Sequence, residues 1–259
     1  MTVTLPGLAT NDIVAFVLVL SRVGGLFALA PVFSAKMIPL RAKVLLASAV
    51  SLALMPLASH GQHLPSDAPR IALLILKEAG VGLAFAFALA ALAAAVQSGA
   101  ALLDTVIGFS FAALVDPINN QQNAVLGEFY TLFATMIFLA IGGDHLMLMG
   151  LARTYEVLPL SAMPDVSVLA AHSLDALEQV LALGLEIVAP AVLALVVTDA
   201  ALGVVARAVP QMNVFVVGLP AKLIAGFAVI AASLPFVAIH LQDDLQSSVL
   251  QALQTLHAA

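Results

Sequence analysis

Seven ionisable side chains lie within or beside long apolar stretches: Arg22, Lys77, Glu78, Asp104, Glu128, Glu186 and Asp199. Placing one such charge at the middle of a bilayer costs about 2.5–3.5 kcal/mol even on the lenient insertion scale. Each must therefore pair, line a water path or face another subunit. Lys77 and Glu78 stand near a helix start, where long side chains can snorkel towards water. Glu186 and Asp199 are harder to place, because the helix between them spans about 20 Å and they cannot meet within it. Together with Arg207 they point to a transport pathway or a subunit contact.

Covalent chemistry has little support. Gly108-Phe109-Ser110-Phe111-Ala112 loosely follows a nucleophile elbow, but Ala112 replaces the second Gly and the surroundings are apolar helix, not strand–turn–helix. Gly108 reads as a packing or bending position. Gly142-Gly143-Asp144-His145 approaches the Gly-x-Gly-Asp of intramembrane aspartyl proteases, yet Ile141 stands at the first Gly. The chain also lacks a matching second motif, and such a site needs two carboxylates sharing a proton. A helix end with Asp144 and His145 facing water is the simpler reading. The six His residues are scattered with no metal-binding spacing, and the absence of Cys excludes thiolate metal sites, clusters and disulfides. No cofactor is expected.

The most polar stretch between two apolar runs is Asp116-Pro117-Ile118-Asn119-Asn120-Gln121-Gln122-Asn123, with five amides and no Lys or Arg. It reads either as a solvated loop or as a polar loop projecting into a pore.

The elements that position these residues follow from composition. Hydrophobic residues make up 63% of the 259 and charged residues 9%, against about 25% charged in soluble domains. The mean hydropathy is +1.12. An all-α, polytopic membrane protein in one domain is expected. The net charge of −6 gives no basic patch for nucleic acid. The N-terminal stretch lacks the basic region of a signal peptide, since Arg22 is the first basic residue.

Six runs approach the roughly 20 residues of a span: 13–31, 44–58, 71–96, 124–141, 181–197 and 214–239. A shorter piece, 102–115, is interrupted by Asp104 and Gly108 and reads as a re-entrant helix. Lys36, Arg41 and Lys43 in the first connection, and Arg207 and Lys222 in the fifth, place those loops in the cytoplasm and both termini outside. Ala86, Ala90 and Ala94, and Ala84, Ala88, Ala91 and Ala95, repeat at helical spacing and permit close helix approach. Prolines such as Pro56, Pro190, Pro220 and Pro235 fall inside the runs and predict kinks. Broken helices and buried carboxylates also suit a secondary transporter or small-solute channel, although no inverted repeat is visible.

Three ordered segments resemble the FliR family of type III export-gate subunits, which includes virulence-type SpaR members. The first holds Arg22, Gly25, Ala30-Pro31-Val32-Phe33, Ile38-Pro39 and Arg41. The second holds Asp104, Gly108, Val115-Asp116-Pro117, Phe138-Leu139-Ala140 and Gly143-Asp144-His145. The third holds Ala189-Pro190, Ala201-Leu202-Gly203, then Arg207-Ala208-Val209-Pro210-Gln211-Met212-Asn213-Val214-Phe215, Gly218-Leu219-Pro220 and Lys222. Together they cover about residues 20–225. Ile-Pro followed by a basic residue is similar to the flagellar members. The stretch 188–225 also resembles the hairpin of the small partner FliQ.

The resemblance implies a non-enzymatic subunit of the flagellar export gate in the bacterial inner membrane, within the basal body. It implies a FliP-like part over about 1–175 and a FliQ-like hairpin over about 176–240. It further implies a helical, pore-containing assembly with FliP and FliQ, contacts with FlhB and FlhA, and passage of unfolded flagellar subunits. Apolar surface would then be covered partly by partner subunits and not by lipid alone. Residues 116–123 match the family's pore plug, although they are rich in Asn and Gln where the family has Gly and Ser. Arg22, Glu128, Glu186, Asp199, Arg207, Pro210, Asn213 and Lys222 are the expected buried polar or subunit-contact positions.

Overall fold

The computed structural model describes residues 10–35, 38–62, 64–108, 125–209, 211 and 214–258. The plug segment 116–123, with Pro210 and Asn213, lies outside them. Among the described residues the regular structure is helical only: α1 (Thr10–Leu29), α2 (Leu40–Ser59), α3 (Ala68–Ile107), α4 (Val125–Ala140), α5 (Gly143–Val157), α6 (Val166–Ala208) and α7 (Val214–Ala258). Among the described residues five helices are long and apolar enough to cross a membrane, and the bent pair α4–α5 makes a sixth candidate if it is one span. The six-run, all-α membrane architecture expected from hydropathy is what the structure shows.

Several boundaries differ from expectation, among them the start of α6 at Val166, well before the expected run 181–197. α3 runs unbroken for 40 residues, so residues 102–107 are its last turns and not a separate re-entrant helix; 109–115 lie outside the described residues. Gln97 and Ser98 do not end the helix because both face outward, while Gly99 packs inward. α5 occupies a stretch between two of the expected runs. Its charged residues Asp144, Arg153 and Glu156 are exposed, while Met147, Gly150, Leu151 and Thr154 recur at helical spacing and are buried. α7 continues past residue 239 for the same reason, burying Val249, Ala252 and Leu256 at one-turn and two-turn intervals.

The one sharp bend described between apolar helices comes from glycine. α4 and α5 meet at 68°. Gly142 holds φ +70° there, a left-handed conformation that costs glycine little. The helices continue through Pro56, Pro190, Pro220 and Pro235.

Two compact units emerge, one comprising Met1–Ala91, Gly142–Leu177 and Leu245–Ala259, the other Leu92–Ile141 and Glu178–Asp244. The first has a core of α1 residues Leu18, Val19, Val23 and Leu26 with Phe85 and Leu89 of α3 and Leu151 of α5. Its helix α2 buries only Ala47, Ser51 and Ala58, and leaves Leu40, Leu45, Leu46, Leu52 and Leu57 exposed. The second unit packs Leu103 and Ile107 of α3, Tyr130 of α4, Val188 and Leu195 of α6 and Val237 of α7.

Candidate functional site, a buried ionic cluster and a helical hairpin

The first unit contains a buried ionic cluster built by a backbone-close helix crossing. A Cβ added to Gly82 would lie 2.0 Å from the Arg22 carbonyl oxygen, and one added to Gly25 would lie 2.5 Å from the Ala79 carbonyl oxygen. Only glycine at both positions allows α1 and α3 to touch in this way. The crossing sets Arg22 beside Glu78, one turn before Gly82, and both side chains have 0% exposure.

Every arm of the guanidinium is used. Nε donates to Glu78 Oε2 at 2.5 Å, Nη1 to Thr154 Oγ1 at 3.0 Å and Nη2 to the Leu158 carbonyl at 2.9 Å. The Tyr155 ring lies 4.1 Å from Arg22 Cζ, a cation–π contact. Glu78 Oε1 sits against the Lys77 ammonium as an ion pair without hydrogen-bond alignment. Lys77 Nζ in turn donates to the carbonyls of Pro159 and Leu160 at 3.2 and 3.0 Å. The cluster thus holds two cations and one anion. The surplus positive charge faces backbone oxygens at and just beyond the C-terminus of α5, the negative end of the helix dipole. Lys77 and Glu78 therefore do not snorkel. They are buried, and they tie α1 and α3 to the end of α5.

In the second unit, Gly99 and Gly184 repeat the device. Cβ atoms at these positions would meet the Gly184 carbonyl at 2.4 Å and the Ala95 carbonyl at 2.7 Å. Ala95, from the expected small-residue series, is therefore at a backbone contact, and Ala86 is fully buried, whereas Ala94 is exposed. Asp104 is 4% exposed, and its Oδ2 accepts the Gly127 N–H at 3.3 Å. That donor belongs to the first turn of α4, where backbone N–H groups have no intrahelical acceptor.

α6 and α7 form an antiparallel hairpin. Lys222 Nζ donates to Asp199 Oδ2 at 2.9 Å. Four residues earlier on α6 and four later on α7, Leu195 meets Gly226. The pair is partly solvated, with side-chain exposures of 20% and 48%, so its contribution is modest. Glu128, Glu186 and Arg207 are exposed on α4 and α6. Asp144 and His145 are exposed at the start of α5, as expected of a helix end facing water.

The structure thus unites Arg22 with Glu78 and Lys77, and Asp199 with Lys222. The roles of Thr154, Leu158 and Tyr155, and of glycines 82, 99 and 184, were missed by sequence reasoning. The 3.6-residue stripe through Met147, Leu151 and Thr154 was the available signal for α5.

Comparison with known proteins places the chain in a family. The family described as bacterial export proteins, family 1, matches residues 13–248. The chain is 31% identical to the flagellar biosynthetic protein FliR of Bacillus subtilis (strain 168) over 233 residues, covering 87% of this chain and 88% of the relative. It is 29% identical to FliR of Escherichia coli (strain K12) over 224 residues, 85% and 84% of the two chains. It is also 29% identical over 161 residues to the surface presentation of antigens protein SpaR of Shigella sonnei, 62% of each chain.

Proposed function

The chain belongs to the bacterial export proteins, family 1, and from this we propose that it is the FliR-type subunit of the flagellar type III export gate. In this reading it joins FliP and FliQ to form the pore through which unfolded flagellar subunits leave the cell, next to FlhB and FlhA in the inner membrane. It is a structural component of that apparatus and not an enzyme. The observation that carries the proposal is the similarity to FliR proteins over most of both chains.

The geometry supports the division of labour. α6 and α7 make a hairpin of the kind a FliQ-like part requires, clasped by Asp199 and Lys222. Its outer surface carries Leu193, Val197, Val204, Val216 and Ile224, all exposed in the isolated chain. Such apolar surface is covered by lipid or by other subunits. The exposed Glu128, Glu186 and Arg207 are the subunit-contact positions, because a solvated charge beside apolar surface can pair across an interface. Residues 116–123 form the plug: neutral amides can bond to one another or to water, sealing weakly and reopening.

The test is co-purification of the tagged chain with FliP and FliQ, alongside motility of a null strain complemented with it. Recovery of both partners and restored swarming are expected. Recovery of the chain alone, with solute transport by the chain alone in vesicles, would instead establish a transporter. Deleting Asn119–Asn123 should leave assembly intact and make the membrane leaky to small solutes. Unchanged leak and unchanged export would reject the plug role.

A further inference from the structure

A groove of about 900 Å³ lies in the first unit, where the end of α2 meets the end of α5. Its apolar walls are Ala53, Pro56, Leu57 and Pro159. Its polar end holds His60, Tyr155, Glu156 and Ser161. Tyr155 is 4% exposed, and its hydroxyl has no hydrogen-bond partner among the described residues. A buried hydroxyl left this way carries a desolvation cost that a polar ligand atom would remove. Glu156 is exposed and makes no ion pair among the described residues. The cluster's cations are already committed: Arg22 to Glu78, Thr154 and Leu158, and Lys77 to Glu78 and two carbonyls.

The groove also has a definite address. α2 is long and apolar enough to cross a membrane and ends at Ser59; when it spans, its last turn lies where hydrocarbon gives way to water. The helix face that enters the groove through Ala53, Pro56 and Leu57 continues back along α2 through Ala49 and Leu46. All five residues are exposed. An apolar track thus runs along the outside of a span into a groove whose end offers a hydroxyl donor and an uncompensated carboxylate.

We propose that this groove binds the headgroup of a zwitterionic phospholipid bearing a primary ammonium, of the ethanolamine type, with an acyl chain along the Leu46–Leu57 face of α2. The ammonium pairs with Glu156. The phosphodiester accepts from the Tyr155 and Ser161 hydroxyls. The negative end group disfavours purely anionic lipids. A choline headgroup has no N–H to donate and binds more weakly.

The test uses the full chain purified in mild detergent and incubated with equal amounts of phosphatidylethanolamine, phosphatidylcholine and phosphatidylglycerol, with retained lipid counted by native mass spectrometry. Preferential retention of phosphatidylethanolamine is expected. Tyr155→Phe keeps the ring over Arg22 and removes only the hydroxyl, and Glu156→Gln removes only the charge. Each should weaken retention by about tenfold, the size of one charge-assisted hydrogen bond, with the lipid-free melting temperature unchanged in Glu156→Gln and no lower in Tyr155→Phe, which removes the unpartnered hydroxyl. Equal retention of the three lipids by the native chain, or unaltered retention in both variants, overturns the proposal. So does a result in which Tyr155→Phe and Glu156→Gln leave lipid retention intact but reduce recovery of a partner subunit, which would assign the groove to a protein segment.

Discussion

Replacing Glu78 tests the ionic cluster directly. In Glu78→Leu the Arg22 guanidinium stays fully buried and loses its only carboxylate, keeping Thr154, the Leu158 carbonyl and the Tyr155 face. Breaking a buried ion pair from one side typically costs about 3–5 kcal/mol, because an uncompensated charge is left behind. The remaining partners put this case towards the lower end, about 3 kcal/mol. Arg22→Met leaves Glu78 with Lys77, and its cost should be similar, since Thr154 and Leu158 each lose a donor. The double variant Arg22→Met with Glu78→Leu removes both charges from the same site and replaces them with apolar groups of similar volume. Such replacements are often neutral or stabilising. The Leu158 carbonyl still loses its Arg22 partner, and the buried Lys77 loses its counter-ion while keeping the Pro159 and Leu160 carbonyls, so a residual cost of about 3 kcal/mol remains. The double variant should therefore lose clearly less than the sum of the two single losses. At about 2–4 °C per kcal/mol for a chain of this size, each single variant should melt roughly 6–12 °C below the native protein. The assay is loss of far-ultraviolet circular dichroism on heating in detergent, which suits a chain with no Trp. If the double variant melts at or below the sum of the two single losses, Arg22 and Glu78 are not energetically coupled and the cluster reasoning fails.

Glycine substitutions separate contact from propensity. Gly82→Ala should force α1 from α3 and abolish export, whereas Gly80→Ala, with nothing within 4 Å of the added carbon, should retain motility and gain about 0.5–1 kcal/mol of helix stability. Asp104→Ala should cost about 1–2 kcal/mol by freeing the Gly127 donor, and Asp104→Asn, which keeps an acceptor, should recover most of it in the same melting assay. Burial pushes the Asp244 carboxyl up, opposed by His240 and reinforced by Glu186 and Asp243. Its folded pKa thus exceeds its unfolded one, so its penalty is absent in acid and grows as pH rises past the ordinary carboxylate range. Asp244→Asn should therefore stabilise the protein at neutral pH and not below about pH 3.8; equal effects at both pH values would contradict this.

The apolar runs were legible because lipid-length hydropathy depends on local composition alone. Helix ends were less so. Residues 143–157 fell between two expected apolar runs, although the buried stripe through Met147, Leu151 and Thr154 obeys helical spacing. Gln97 and Ser98 looked like a break in α3, which Gly99 bridges by packing on Gly184. Arg22 stood out as a charge in an apolar run, but its partner did not. Glu78 is 56 positions away, and only the meeting of Gly25 and Gly82 determines that the two side chains share a site. Lys77 and Glu78 looked like a snorkelling pair because sequence cannot show that Pro159 and Leu160 fold back over them. Asp199 and Lys222 lie closer in sequence, but their pairing depends on the hairpin register.

The buried guanidinium also sets a schedule for biogenesis. Arg22 is synthesised 56 residues before Glu78 and 132 before Thr154. At about 5–20 residues per second, α1 leaves the ribosome several seconds before its counter-ion exists. The full set of acceptors arrives only after something on the order of ten seconds. During that interval a lone cation cannot settle in hydrocarbon at low cost. Until α3 and then α5 arrive, that cost of about 2.5–3.5 kcal/mol is carried by the apolar residues of α1 alone. The packing of α1 is thus completed late, because the last acceptor of its guanidinium is residue 158.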